Sequence, residues 1–173
     1  MIIRKCNEAD IVSVGKFYDH VVKYLCENIN YPKWRYKDYP SEESVREMTN
    51  AGCQFICLDN NEIAGAFVLN EDPQGAYENA VWSVQLSKGE YMVCHTLATK
   101  PELQGKGIGR ALIGYCIDHA KKNNYKGIRL DVVPGNIPAK KLYENCGFKY
   151  VGDVDLDRGI KEIPLFSMYE LNF

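Results

Sequence analysis

Gly105, Gly107 and Gly109 alternate with Lys106, Ile108 and Arg110 between an apolar run at residues 91–98 and an amphipathic stretch that begins near Gly107. Few folds accommodate that order of events. An apolar strand must end in a tight turn whose glycines reach backbone angles closed to other residues, and a helix must begin at once. At such a junction the glycines let main-chain N–H groups face outward, and the helix adds the positive end of its dipole. Gln104, Gly105, Lys106, Gly107, Ile108, Gly109 and Arg110 therefore form a candidate cradle for a polyanion such as a pyrophosphate.

Two commoner phosphate loops fail on spacing. A dinucleotide fingerprint needs G-x-G-x-x-G, and counting from Gly105 and Gly107 puts Arg110 where the third glycine should stand. A nucleoside-triphosphate loop needs a Lys-Ser or Lys-Thr pair after its last glycine, and none follows here. What remains is Q-x-x-G-x-G, Gln104 to Gly109. Further along, residues 128–133 read as a short buried strand closed by Pro134-Gly135, and Asn136 is a good N-cap for the helix that follows. That helix carries Ala139, Leu142, Tyr143 and Cys146 at three-to-four spacing, and Gly147 supplies a left-handed residue just past its end, before a strand beginning at Phe148.

The pattern Q-x-x-G-x-G followed by Asn136-x-x-Ala139-x-x-Leu142-Tyr143-Glu144-x-x-Gly147-Phe148 resembles the two signatures of the GNAT acetyltransferase superfamily, in the same order. The resemblance is specific from Tyr91 to about Gly152. It implies an α/β chain with a mixed α+β sheet: about seven mostly antiparallel strands with a central, splayed parallel pair, and about four helices. It implies one domain over residues 1–173, acetyl-CoA as cosubstrate and an N-acetyltransferase activity.

In such proteins the amides of residues 104–110 hold the pyrophosphate. The strand before the loop leaves its neighbour near a β-bulge, so that main-chain groups of Leu97, Ala98 and Thr99 are free for the pantetheine arm and the acetyl carbonyl. Asn136 and Ala139 join the cofactor-binding set, and Lys140-Lys141 reads as a solvated helix face that also lies where a cofactor phosphate could pass. By the same resemblance Tyr143 is the acid for the departing thiolate, since a phenol with a reference pKa of about 10 is protonated at neutral pH. Outside this motif Tyr143 would read as a core tyrosine. His95 resembles one of two strand histidines that relay protons in arylalkylamine acetyltransferases, but Val93 stands where the companion would be. A buried structural histidine is the other reading. The acceptor is a small primary amine or amino-acid derivative, or alternatively a protein N-terminus. An acyl-coenzyme A sensor without turnover is the reading from another class, and homodimers are common among similar proteins.

Charge and cysteine usage narrow the partners. Lysine and arginine number 21 against 23 acidic residues, a net charge of −2, which lacks the footprint of a nucleic-acid binder. The seven cysteines are odd in number and contain no C-x-x-C pair, so neither a disulfide framework nor a zinc site is expected, and no other metal is implied. No segment has the form of a secretory signal or the roughly 20 apolar residues of a membrane span. A cytoplasmic protein is the expectation.

The remaining elements follow from periodicity. Residues 1–5 read as a strand, and Ile11, Val14, Tyr18, Val22 and Leu25 trace the buried stripe of a helix. Residues 30–40, with Tyr31, Trp34, Tyr36 and Tyr39 among prolines, form an aromatic loop that either lines an acceptor pocket or anchors to the core. Ser41 caps the next helix. Residues 53–58 and 63–69 form two strands joined through Asp59-Asn60-Asn61, residues 71–88 are irregular, and residues 165–171 form a last strand.

Overall fold

The computed structural model describes residues 1–173. Its elements run β1 (Ile2–Lys5), α1 (Ile11–Glu27), α2 (Glu42–Asn50), β2 (Gln54–Asp59), β3 (Glu62–Asn70), β4 (Tyr91–Thr99), α3 (Ile108–Lys122), β5 (Gly127–Val132), α4 (Ile137–Asn145), β6 (Lys149–Val154) and β7 (Phe166–Asn172). Short 3-10 turns lie at Glu8–Asp10, Tyr77–Asn79 and Pro101–Leu103. The strands are ordered β1-β2-β3-β4-β5-β7-β6 in one seven-stranded sheet. β4 and β5 are parallel, and their ladder is short, from Tyr91 opposite Gly127 to Val93 opposite Arg129. The mixed sheet with one parallel pair and four α-helices is the architecture that the two signatures imply.

The chain divides into two compact units, Met1–Leu69 with His95–Tyr115, and Asn70–Cys94 with Cys116–Phe173. In the first, α1 buries Ile11, Val14, Phe17, Tyr18, Val21 and Val22, the stripe that the 3.6-residue period demands. Its core also takes in Cys6, Val45, Ile56, Ala66 and Ala98. α2 opens with a capping box in which Ser41 and Ser44 exchange hydrogen bonds, so serine does the work usually given to a glutamate at the third position. β2 and β3 are joined by Asn60 and Asn61, both left-handed at φ 49° and 63°, the pair of conformations a two-residue hairpin needs. Phe55 and Phe67 lie opposite each other in that hairpin and stack at 5.1 Å, with Tyr115 of α3 at 5.6 Å from Phe55.

In the second unit β7 pairs antiparallel with both β5 and β6, over a core of Tyr77, Trp82, Tyr91, Val93, Leu156, Phe166 and Met168. The irregular residues 71–88 are held by two arginines. Arg129 of β5 is 3% exposed, sits 4.1 Å from the Trp82 ring and 4.2 Å from the Tyr91 ring, and donates to the Val84 carbonyl at 3.0 Å. Burial pushes its guanidinium pKa down, opposed by neighbouring Tyr91 and Glu170. Arg158 grips Asp131 of β5 with two bonds of 2.8 Å and also donates to the carbonyls of Pro73 and Gln74. Tyr77 adds a third bond to Asp131, at 2.7 Å.

That knot tests itself by deletion. Arg158→Met leaves the Asp131 carboxylate, only 12% exposed, without its cation, and urea unfolding is expected to show a loss of about 3 kcal/mol. Adding Asp131→Asn to that variant is expected to restore part of the loss, because no unpaired charge then remains buried.

Candidate active site

β4 runs on to Thr99 after its ladder with β5 ends at Val93. β4 runs regularly through Tyr91, then turns left-handed at Thr96, where φ is +45°. For a β-branched residue this is a strained conformation, of the kind that makes a bulge and re-aims the peptide groups after it. Leu97 and Thr99 are half-buried and Ala98 is buried. The strand is then carried into the Pro101–Leu103 turn by a bond from Lys100 N to the Ala64 carbonyl at 2.9 Å.

The glycine turn follows. Gly105 and Gly107 are left-handed at φ +76° and +82°, and no atom lies within 4 Å of where a side chain would start. Their glycine identity therefore answers to backbone angle and open approach, not to packing. Gln104, Gly105, Lys106 and Gly107 are exposed, Ile108 is buried and anchors the first turn of α3, Gly109 is half-buried, and Arg110 is exposed. The first backbone bond of α3 runs from Ala111 N to Gly107 O at 3.0 Å. The N–H groups of Ile108, Gly109 and Arg110 thus have no partner inside the helix, at the end where its dipole is positive. These are the donors an anion needs.

A glycine outside the motif sets the position of this turn. At Gly65 in β3, a Cβ would meet Leu112 Cδ1 at 2.9 Å, the Ala98 carbonyl oxygen at 3.0 Å and Ile108 Cγ2 at 3.4 Å. Gly65 is what lets α3 and the end of β4 close on β3. His20 of α1 and Glu102 form an exposed pair at 2.8 Å beside the same turn.

The second unit holds Asn136, Ala139 and Tyr143. Asn136 caps α4 by accepting from Ala139 N at 3.3 Å, so its carboxamide oxygen is engaged in the helix start. Tyr143 is 8% exposed; its ring packs on Phe148 and Tyr169. Its hydroxyl makes no hydrogen bond to the protein, and it is not one of the fully buried polar atoms left without a partner. Burial pushes its pKa well above 10.0, reinforced by the neighbouring Cys94, Cys116, Asp131 and Cys146. The phenol holds its proton and keeps its donor capacity unspent.

Some expected residues take other places. Lys140 is not simply solvated: it donates to the Ser167 hydroxyl at 3.1 Å and the Pro134 carbonyl at 3.3 Å, while Lys141 is exposed. His95 is buried at 9% exposure on β4. Trp34 packs edge-on against Tyr18 at 6.2 Å, so this aromatic of the 30–40 loop is an anchor, whereas Tyr36 and Tyr39 are exposed. Tyr18, Thr96 and Gly65 went unmarked in the sequence: a tyrosine on an apolar stripe, a threonine in a strand and a glycine in a strand look ordinary there. No group of three or more His, Cys, Asp or Glu side chains is arranged to hold a metal, and no helix is long and apolar enough to cross a membrane.

A model of the acetyltransferase (GNAT) family matches residues 23–148. Streptothricin acetyltransferase of Escherichia coli is 31% identical over 120 residues, covering 69% of this chain and 58% of that protein. N-alpha-acetyltransferase 40 of Saccharomyces cerevisiae is 28% identical over 114 residues, 60% of this chain and 39% of that one. The chain thus spans less than two thirds of either relative. Among solved structures, a GNAT-family acetyltransferase from Streptococcus agalactiae superposes with a TM-score of 0.82 at 16% identity, covering 99% of this chain and 95% of that one. An acetyltransferase from Salmonella typhimurium, solved with its cofactor acetyl-CoA, gives 0.71 at 17% identity, covering 99% and 93%. At such identities the structural likeness is one of fold.

Gly65→Ala is the sharpest probe of how the turn is placed. Its methyl would press on the backbone oxygen of Ala98, and urea unfolding is expected to show a loss of about 2 kcal/mol. Calorimetry with coenzyme A is expected to show weaker binding as the first turn of α3 is displaced; unchanged affinity would separate Gly65 from the turn.

Proposed function

Because the chain belongs to the GNAT acetyltransferase family, we propose that it is an N-acetyltransferase that transfers the acetyl group of acetyl-CoA to a primary amine, with residues 1–173 working as one catalytic domain. The acceptor we assign is a small amine or amino-acid derivative, attacking directly without an acyl-enzyme. The observation that carries the reading is the turn at residues 104–110: two left-handed glycines with open space around them, next to helix N–H groups that no carbonyl claims. The small-amine acceptor is supported by the similarity to a streptothricin acetyltransferase. A peptide N-terminus is the second reading, supported by the similarity to an N-alpha-acetyltransferase.

When bound, acetyl-CoA supplies an activated thioester. The residues of this chain do the rest. Amides of Gly105, Gly107, Ile108 and Gly109 hold the diphosphate, with Gln104, Lys106 and Arg110 at the rim. Main-chain groups of Leu97, Ala98 and Thr99, on β4 past the end of its ladder with β5, hold the pantetheine arm, and amides at Leu97 and Ala98 stabilise the carbonyl oxygen as it gains charge. Asn136 and Ala139 complete the cofactor-binding set. His95 takes the ammonium proton, directly or through water, an imidazole being able to act as a general base. Tyr143 donates its hydroxyl to the leaving sulfur. A thiol has a reference pKa of about 8.5, below that of Tyr143, so full proton transfer from the phenol runs uphill unless the phenolate is reprotonated at once. A hydrogen bond that blunts the thiolate charge is the dominant contribution of Tyr143.

Two variants test the two halves of the reading. Gly107→Glu sets bulk and negative charge where the diphosphate would sit, and calorimetry is expected to show no coenzyme A binding; wild-type affinity would remove the cofactor assignment. Tyr143→Phe is expected to leave that affinity largely intact while slowing thiol release with a competent amine about 100-fold. Equal turnover would reject the assigned acid. Since its pKa is raised above 10.0, Tyr143 stays neutral throughout the working range. A tyrosine whose folded pKa exceeds its unfolded one weakens folding only as pH climbs past the unfolded value, so no alkaline loss of rate below about pH 10 is expected from Tyr143. A panel of small amines and peptide N-termini, scored by free thiol, decides the acceptor; tight binding of coenzyme A without thiol release from any amine would favour a sensor.

A further inference from the structure

One buried polar contact in the first unit is not used by the proposed chemistry. Tyr18, 1% exposed on the apolar stripe of α1, points its hydroxyl at the Thr96 carbonyl, donating at 2.9 Å, with Thr96 Oγ1 at 3.4 Å. The partners are 78 residues apart in the chain. Burying a phenol oxygen needs only some acceptor, and helix or strand carbonyls are plentiful; the one chosen belongs to a β-branched residue at φ +45°. Such a conformation persists only where the surroundings over-determine it.

The hydroxyl is itself held in one orientation. Phe17 meets the Tyr18 ring edge-on at 5.4 Å and Trp34 meets it at 6.2 Å with an 80° interplanar angle. Trp34 in turn is clamped by a single side chain: Asn30 accepts from Trp34 N at 3.1 Å and donates to Trp34 O at 2.6 Å. Tyr18 and Ala98 lie in the same core cluster, so the ring side and the strand side of the contact share one packing. A left-handed residue in an extended strand turns the next peptide plane, and that plane carries the Leu97 N–H.

We propose that Tyr18 is a positioning residue of the acetyl transfer: by holding the Thr96 carbonyl it fixes Thr96 in the left-handed region and so aims the Leu97 amide at the place where the acetyl oxygen gains charge. The catalytic part rests on the acetyltransferase reading; the conformational part does not. Tyr18 touches no reacting atom, and its effect falls on turnover more than on cofactor binding, which the turn at residues 104–110 governs.

The test is a four-protein cycle of wild type, Tyr18→Phe, Thr96→Gly and the double variant, measured for kcat, coenzyme A affinity and the amide NMR signals of Thr96 and Leu97. Tyr18→Phe keeps the packing and removes one hydrogen bond, so kcat is expected to fall about tenfold with coenzyme A affinity within about twofold of wild type. The Thr96 and Leu97 signals shift. Glycine occupies positive φ without the steric penalty, so in the Thr96→Gly background the same Tyr18→Phe change is expected to alter kcat by less than about twofold. A tyrosine that served only packing would show an equal drop in both backgrounds, and that result overturns the proposal. So does unchanged turnover in Tyr18→Phe, or Thr96 and Leu97 signals that stay in place. If wild type itself binds coenzyme A but acetylates no amine, the transferase reading fails while the NMR comparison still decides whether Tyr18 sets the Thr96 conformation.

Discussion

Main-chain hydrogen bonding that is withheld from secondary structure is the constraint around which this protein is organised. A chain normally satisfies nearly every buried N–H and C=O, yet the β4–β5 ladder ends at Val93 while β4 runs on to Thr99, and the first N–H groups of α3 have no carbonyl before them. The fold sets a left-handed threonine within β4 and passes through two left-handed glycines into a helix whose opening amides have no carbonyl above them. Such a stretch would relax into a regular strand or a longer helix if it were free to move. It is not free, because Gly65 lets β3 close on the Ala98 carbonyl and on Ile108 and Leu112 with no room left over. The unsatisfied groups are held in place by packing behind them.

The second unit solves a different problem. Its long irregular segment has too little periodicity to form elements, and two arginines, one buried and one half-buried, give it a fixed path. Arg129 does so with aromatic faces and one carbonyl, and Arg158 with a carboxylate and two carbonyls. Both guanidiniums are planar donors that serve several partners at once, which lysine would not do. Within this unit Tyr143 is a phenol among thiols whose burial makes it keep its proton.

The order of strands and helices was legible because it is written in local signals: the α1 stripe, the Ser41 cap, the Asn60-Asn61 turn and the left-handed Gly147, which has φ +93°. The glycine turn was legible for the same reason, since a phosphate loop is made of consecutive residues. Boundaries moved by a residue, with Cys53 outside β2 and α3 starting at Ile108. What the sequence did not reveal are the supports that act across long separations. Tyr18 has the residue type of a core position, Thr96 that of a strand, and Gly65 gives no hint of the oxygen 3.0 Å from its missing Cβ. Lys140 likewise gave no hint of its acceptor, Ser167, which arrives from β7 at the far end of the chain.

Neither unit is assembled from one continuous piece of polypeptide: the first takes residues 95–115 as well as 1–69, and the second takes 70–94 as well as 116–173. During synthesis, then, β1, α1, α2 and the hairpin emerge with their sheet edge and apolar face waiting for a segment not yet made. They cannot close until residue 115 has left the ribosome, and the other unit must wait for β7 to emerge, so burial of the nascent core is postponed to the last third of translation.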